Sequence, residues 1–402
     1  MNHSLTALRP YRALAGLCAT LALLAACSSN DKVDPPASLV KIRETVRIEK
    51  LWSANVGGAA PKLRLGLGVA AEGGRVFAAG HDGDVSAYAL NSGKKLWQAK
   101  TRVKIAGGPG VGDGLVVVGA SYGDIVALDA FTGALRWKTR VNSEILSAPA
   151  IGGGVVLLRA VDGRLVALSA ENGRQLWAAE QNVPRLSLRG AATPLISGDM
   201  AISGFDNGRV MAIGLRDGQT AWDIAVAPPS GRSELERLVD IDSGLSVVGD
   251  DVYAVTYQGK VARLAKDSGQ VWWSRDLSSY RGLATDDDGV YISTSEGQLV
   301  KIGRRTGVEL WRTDSLKNRK LSAPVVVGGQ VAVADFKGFV HFFDVNTGAP
   351  TARVQGGGLA ESSWLGTGTR ISNPPVAVGD VALFINDKGH VTAYRVTGPR
   401  RR

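Results

Sequence analysis

The stretches "HDGDVSAYALNSGKKLW" (81–97), "SYGDIVALDAFTGALRW" (121–137) and "VDGRLVALSAENGRQLW" (161–177) are one unit at 40-residue spacing. Each holds a glycine turn, an alternating strand, a second turn ending in glycine, and a strand that reaches tryptophan. Period-two alternation between turn signals specifies short antiparallel strands. Five further copies begin near residues 206, 257, 295, 336 and 387, so the unit occurs eight times. Upstream of each copy lies another apolar strand pair, such as "SAPAIGGGVVLLRA" (147–160), giving four strands per unit. Repeated four-stranded units of this period form propeller blades. The expectation is an all-β, eight-bladed β-propeller of four-stranded antiparallel blades.

An open solenoid would need polar caps at both ends. This chain has a closure device instead. The eighth copy ends at Gly398 without a tryptophan strand, while "EKLWSANV" (49–56) carries Trp52 with no turn before it. The N-terminal strand is therefore expected to complete the last blade and remove the exposed edges at the seam. Tryptophan recurs at Trp52, Trp97, Trp137, Trp177, Trp222, Trp273 and Trp311, and the seventh copy has Ala352. Indoles at a repeated outer-strand position read as packing between blades rather than as ligand contacts.

The residues before the propeller belong to export. Arg9 and Arg12 precede a 12-residue apolar run, Ala13–Leu24, which is too short for a resident membrane helix. Small residues then lead to Cys27, a pattern that resembles a bacterial lipobox and implies cleavage after residue 26 with lipidation of Cys27. Cys18 falls inside the removed segment, which leaves Cys27 without a disulfide partner. Ser28, where inner-membrane retention would use Asp, favours the outer membrane by the same resemblance. The expected domains are a signal peptide at 1–26, a lipidated flexible tether at 27–45, the propeller at 46–398 and a basic tail at 399–402. The chain carries a formal charge of +10, and residues 1–26 contribute two of its basic groups. In an exported lipoprotein this balance points to anionic headgroups, an acidic protein surface or a merely solvated exterior, not to nucleic acid.

Catalytic signals dissolve on inspection. "GASYG" (119–123) matches a nucleophile elbow but aligns with the repeat turn "AGHDG" (79–83), where no helix follows. "TDDDG" (285–289) falls at the same inter-strand turn as "VVGDD" (247–251), and "GLGVAA" (66–71) precedes no helix. His81, His341 and His390 lack metal-like spacing. The repeat resembles that of pyrroloquinoline-quinone dehydrogenases, which implies an enzyme reading. That family's vicinal cysteine pair and calcium site have no counterpart here, so no catalytic residue, cofactor or metal is expected.

The repeat is broken in its fourth and fifth units. Successive glycine spacings of 40, 40, 45, 51, 38, 41 and 51 put extra residues at "AAEQNVPRLSLRGAATP" (178–194) and "DIAVAPPSGRSELERLVDIDSG" (223–244). Both connect the outer strand of one blade to the inner strand of the next, so they open on one face of neighbouring blades. Loops on a rigid scaffold are where binding concentrates. Leu186 and Leu188 beside Arg189, facing Asp240 and Asp242, read as a docking surface. The alternative is that the leucines tuck into the seam and Arg189 pairs with an aspartate.

Lipobox, Trp-marked blades, "LSLRG" (186–190) and "SELERLVDIDS" (233–243) together resemble the BamB family of outer-membrane protein assembly factors, across essentially the whole exported chain. The resemblance implies a non-enzymatic lipoprotein scaffold of the β-barrel assembly machinery on the periplasmic face of the outer membrane. It implies binding to the POTRA domains of BamA, contact with the other subunits, and unfolded outer-membrane proteins as further ligands. The family's partner-binding positions match Leu186, Leu188, Arg189, Asp240 and Asp242 here. A cell-wall or polysaccharide-binding propeller is the remaining alternative.

Overall fold

The structure, a computed structural model, describes residues 34–58, 65–188, 192–241, 244–356 and 369–399. The propeller unit begins at Ala37. Among the described residues every regular element is a strand, and the strands form eight sheets. Blade 1 is Val69–Glu72, Arg75–Ala79, Asp84–Ala89 and Lys95–Lys100, paired antiparallel in chain order. Blades 2 to 7 repeat that order. Blade 8 is Val376–Val378, Val381–Ile385 and His390–Pro399, and its outer strand is N-terminal, Val46–Asn55. Arg47 opposes Thr397 and Asn55 opposes His390, so the ring closes as the orphan "EKLWSANV" strand predicts.

One blade departs from four strands. Gly66–Leu67 adds a parallel fifth strand to Ile105–Gly112 of blade 2. The backbones approach too closely for side chains: a Cβ on Gly66 would lie 1.6 Å from the Leu146 carbonyl oxygen. Gly66 of "GLGVAA" thus serves strand packing.

The tryptophans explain the strict outer-strand repeat. Each indole leans on the glycine of the next blade's second turn and donates its Nε1–H to a carbonyl there. The acceptors are Leu90 for Trp52 (2.6 Å), Ala130 for Trp97 (3.1 Å), Ala170 for Trp137 (2.8 Å) and Leu215 for Trp177 (2.9 Å). Trp222, Trp273 and Trp311 donate to Lys266 (2.8 Å), Arg304 (3.1 Å) and Val345 (3.1 Å). In blades 2 and 7 the turn is preformed by an Asp: Asp129 accepts from the Phe131 and Thr132 amides, and Asp344 from those of Asn346 and Thr347. Gly133 sits at φ +75°, and a Cβ there would strike the Trp97 ring at 2.6 Å. Glycine is therefore required twice over, for the backbone angle and for the indole.

Ala352 is explained by the same logic. The indole of one blade needs the turn glycine of the next, and blade 8 has no second turn, because its third strand runs straight on to Pro399. A Cβ on Gly398 would meet nothing within 4 Å.

Candidate functional site

The two long connections meet over blades 3 to 5. The first leaves the outer strand Gln175–Glu180 of blade 3 and reaches Leu195–Ser197 of blade 4. Its root is pinned by side chains: Gln181 donates to Asp223 (2.7 Å) and accepts from Asn207 (3.1 Å), while Arg209 donates to Asp223 (2.7 Å). The second leaves Thr220–Ala225 of blade 4 and reaches Ser246–Val248 of blade 5. Ser233 and Glu236 close it locally by exchanging backbone amides, 3.1 Å from the Ser233 amide to the carboxylate and 3.2 Å from the Glu236 amide to the hydroxyl. That is the geometry of a capping box, here shaping a turn.

The two loops are tied by one carboxylate. Asp240 is fully buried, and its Oδ2 accepts the backbone N–H of Leu188. Its own backbone is fixed by Tyr257, whose amide donates to the Asp240 carbonyl at 2.9 Å. Burial pushes the Asp240 carboxyl up to about 7, the Leu188 N–H opposes this, and the neighbouring Asp206 adds to it. Asp206 is raised by its own burial and held by Arg159, 3.0 Å away. Arg159 is buried, donates to the Gly204 carbonyl (3.3 Å), and lies 4.5 Å over the Phe205 ring. A basic side chain and two acids thus sit beneath the loops.

Apolar side chains emerge above this charged layer. Leu186 is 42% exposed, Val183 40% and Leu235 61%, whereas Leu188 is half-buried. Leu238, Val239 and Ile241 turn inward into the seam.

Measured against the sequence, the site divides. Leu186 faces solvent, but Leu188 is partly tucked in. Asp240, read from the sequence as part of the docking surface next to Arg189, is buried and grips the first loop by its backbone. Its neighbours Val239 and Ile241 are apolar and drag it inward. Arg189, Asp242 and Cys27 lie outside the described residues. Arg159, Asp206 and Leu235 were not anticipated. Arg159 had a signal, since an arginine inside "VVLLRA" must find a partner when its strand is buried. The tempting acidic run is a turn: Asp286 accepts from the amides of Asp288 (3.0 Å) and Gly289 (2.7 Å).

The family model described as outer membrane protein assembly factor BamB matches residues 81–313. The outer membrane protein assembly factor BamB of Pseudomonas aeruginosa is 43% identical over 383 residues, 95% of this chain and 98% of that protein. The crystal structure of BamB from Moraxella catarrhalis aligns with a TM-score of 0.77 at 29% identity, covering 87% of this chain and 100% of that one. The quinohemoprotein alcohol dehydrogenase of Comamonas testosteroni aligns at 0.66 with 12% identity, over 88% of this chain and 77% of its own, which is likeness of fold alone. An assembly factor rather than an oxidoreductase is therefore the relative in sequence as well as in shape, and the chain belongs to the BamB family of outer membrane protein assembly factors.

Proposed function

We propose that this chain is a non-catalytic scaffold of the outer-membrane β-barrel assembly machinery, anchored on the periplasmic face through a lipidated Cys27. Family membership supports a role in outer-membrane protein assembly. On this reading the two loops over blades 3 to 5 dock on the POTRA domains of BamA, with Leu186 and Leu188 as apolar anchors and Arg189 and Asp242 as charged partners. Asp240 acts from below, by holding the Leu188 backbone. The carrying observation is that one buried carboxylate joins two loops of different blades while Leu186 and Leu235 stay exposed above it. Such surface is costly unless a partner covers it. The test is to identify what co-purifies with a tagged, lipidated copy from a detergent extract. Recovery of BamA, lost on Leu186→Ala with Leu188→Ala, supports the reading. Recovery of cell-wall polymer without BamA overturns it.

A further inference from the structure

The first described residues of the propeller unit precede its closing strand and were expected to be slack tether. From Ala37 they are not. The Ala37 amide donates to the Lys317 carbonyl at 2.9 Å, and the Ala37 carbonyl accepts from Arg319 at 2.9 Å. The Val40 carbonyl accepts from Arg353 at 2.9 Å, and the Thr45 amide donates to the Thr351 carbonyl at 2.9 Å. Leu39 packs on the apolar cluster around Leu316 and Phe343, and Val40 and Ile42 line a small cavity that also includes Ala352. The segment therefore crosses the outer strand of blade 7, Pro350–Gln355, from the blade 6 side to the closing strand.

The two arginines that grip it are held from beneath. Arg319 pairs with the buried Asp335 at 2.6 Å, and Asp335 also contacts His341 at 3.1 Å. Arg353 donates to the other ring nitrogen of His341 at 3.1 Å. A buried charge network that spends two guanidinium donors on an incoming backbone is a built receptor for that backbone.

Its place in the ring is the informative part. Every other outer strand is fastened by an indole on the next blade's turn glycine. Blade 7 has Ala352 and faces a blade with no such turn, so this seam has no indole pin and is held by apolar packing and by the Tyr394 hydroxyl, which donates to the Gln355 carbonyl at 2.7 Å. We propose that residues 37–45 are a clasp that takes over from the absent tryptophan pin at this seam, and that it fixes where the membrane tether leaves the propeller. Resting on the reading of Cys27 as the anchor, this shortens the tether from residues 28–45 to residues 28–36, about nine residues with an extended reach of roughly 30 Å. The propeller then hangs from its blade 6–7 edge.

The test uses the full lipidated chain in nanodiscs of phosphatidylethanolamine and phosphatidylglycerol carrying a headgroup quencher. A fluorophore is placed at Thr306→Cys in blade 6 or Arg174→Cys in blade 3, both exposed second-turn positions. Stronger quenching at 306 than at 174 is expected, and Leu39→Ser with Ile42→Ser should abolish the difference. Amide exchange at Ala37 and Thr45 should be slowed about tenfold or more in the parent chain and released in that double variant. Equal quenching at both sites, or exchange at Ala37 and Thr45 as fast as in an unstructured peptide, overturns the clasp. If the parent chain fails to join the nanodisc at all, the anchor reading fails, and slowed exchange would still uphold the clasp as the seam's pin.

Discussion

The seam between blades 2 and 3 and the loop junction over blades 3 to 5 are built from the same repeat with opposite polarity. In the seam, Trp137 is buried, its N–H is satisfied by Ala170, and its ring rests on Gly173. At the junction a carboxylate is buried instead, and leucines are left outside. The first arrangement spends apolar surface on stability. The second withholds it, and uses a polar contact only to keep the loop in position. On the proposed reading, stability rests on the indoles and recognition on the exposed leucines, and these two sets should be separable by mutation.

The largest effect is expected in the seams. Trp137→Ala removes an indole whose turn cannot collapse around it and should cost about 3–5 kcal/mol. Chemical denaturation of the variant should show this, while binding by the fraction still folded is unchanged. Trp52→Ala should behave alike and report directly on ring closure, since its acceptor is Leu90 in blade 1.

Asp240→Ala comes next. It leaves the Leu188 amide without its acceptor and should cost about 1–3 kcal/mol, with loss of partner binding. Asp240→Asn keeps an acceptor oxygen and should retain most of both. If Asp240→Ala left binding intact, the support role assigned to the carboxylate would be wrong.

The pH dependence follows from burial. The Asp240 carboxyl, at about 7 in the folded chain, is raised above its ordinary value of 3.8. The unfolded chain therefore gives up this proton first as pH rises, so the contribution is full below about pH 4 and is lost towards pH 7. The parent chain should lose stability relative to Asp240→Asn across that window, by on the order of 1 kcal/mol per pH unit. A constant difference between the two from pH 4 to 7 would contradict the burial argument.

The smallest effect on the fold belongs to the exposed leucines. Leu186→Ala should leave the melting temperature unchanged and weaken partner binding by about 1–2 kcal/mol. A lowered melt would mean that the leucine packs in the seam after all.

Blade number, closure by the N-terminal strand and the tryptophan positions were legible because a repeat samples the same physics eight times. Turn glycine, alternating strand and indole agree in every copy where the next blade offers a turn. Ala352 was visible as an irregularity, but its cause was not, because it lies in strand pairing between residues 350 apart, as where Thr397 donates to the Arg47 carbonyl. The site was legible by position, since extra residues mark both loops. Its depth was not. A sequence shows that Asp240 stands in a loop, but not that Val239 and Ile241 carry it into the core. The clasp was missed for the converse reason: "DPPASLVKIRET" is polar enough to read as linker, and the groups that seat it, Arg319 and Arg353 among them, are distant in sequence.

The claim that recognition is separate from stability is tested most directly by measuring affinity for isolated BamA POTRA domains in the Leu186→Ala, Leu188→Ala double variant, with thermal melts on the same samples. The account predicts at least about a tenfold loss of affinity with a melt within a few degrees of the parent chain. Unchanged affinity, or a loss that comes only with a collapsed melt, would contradict it.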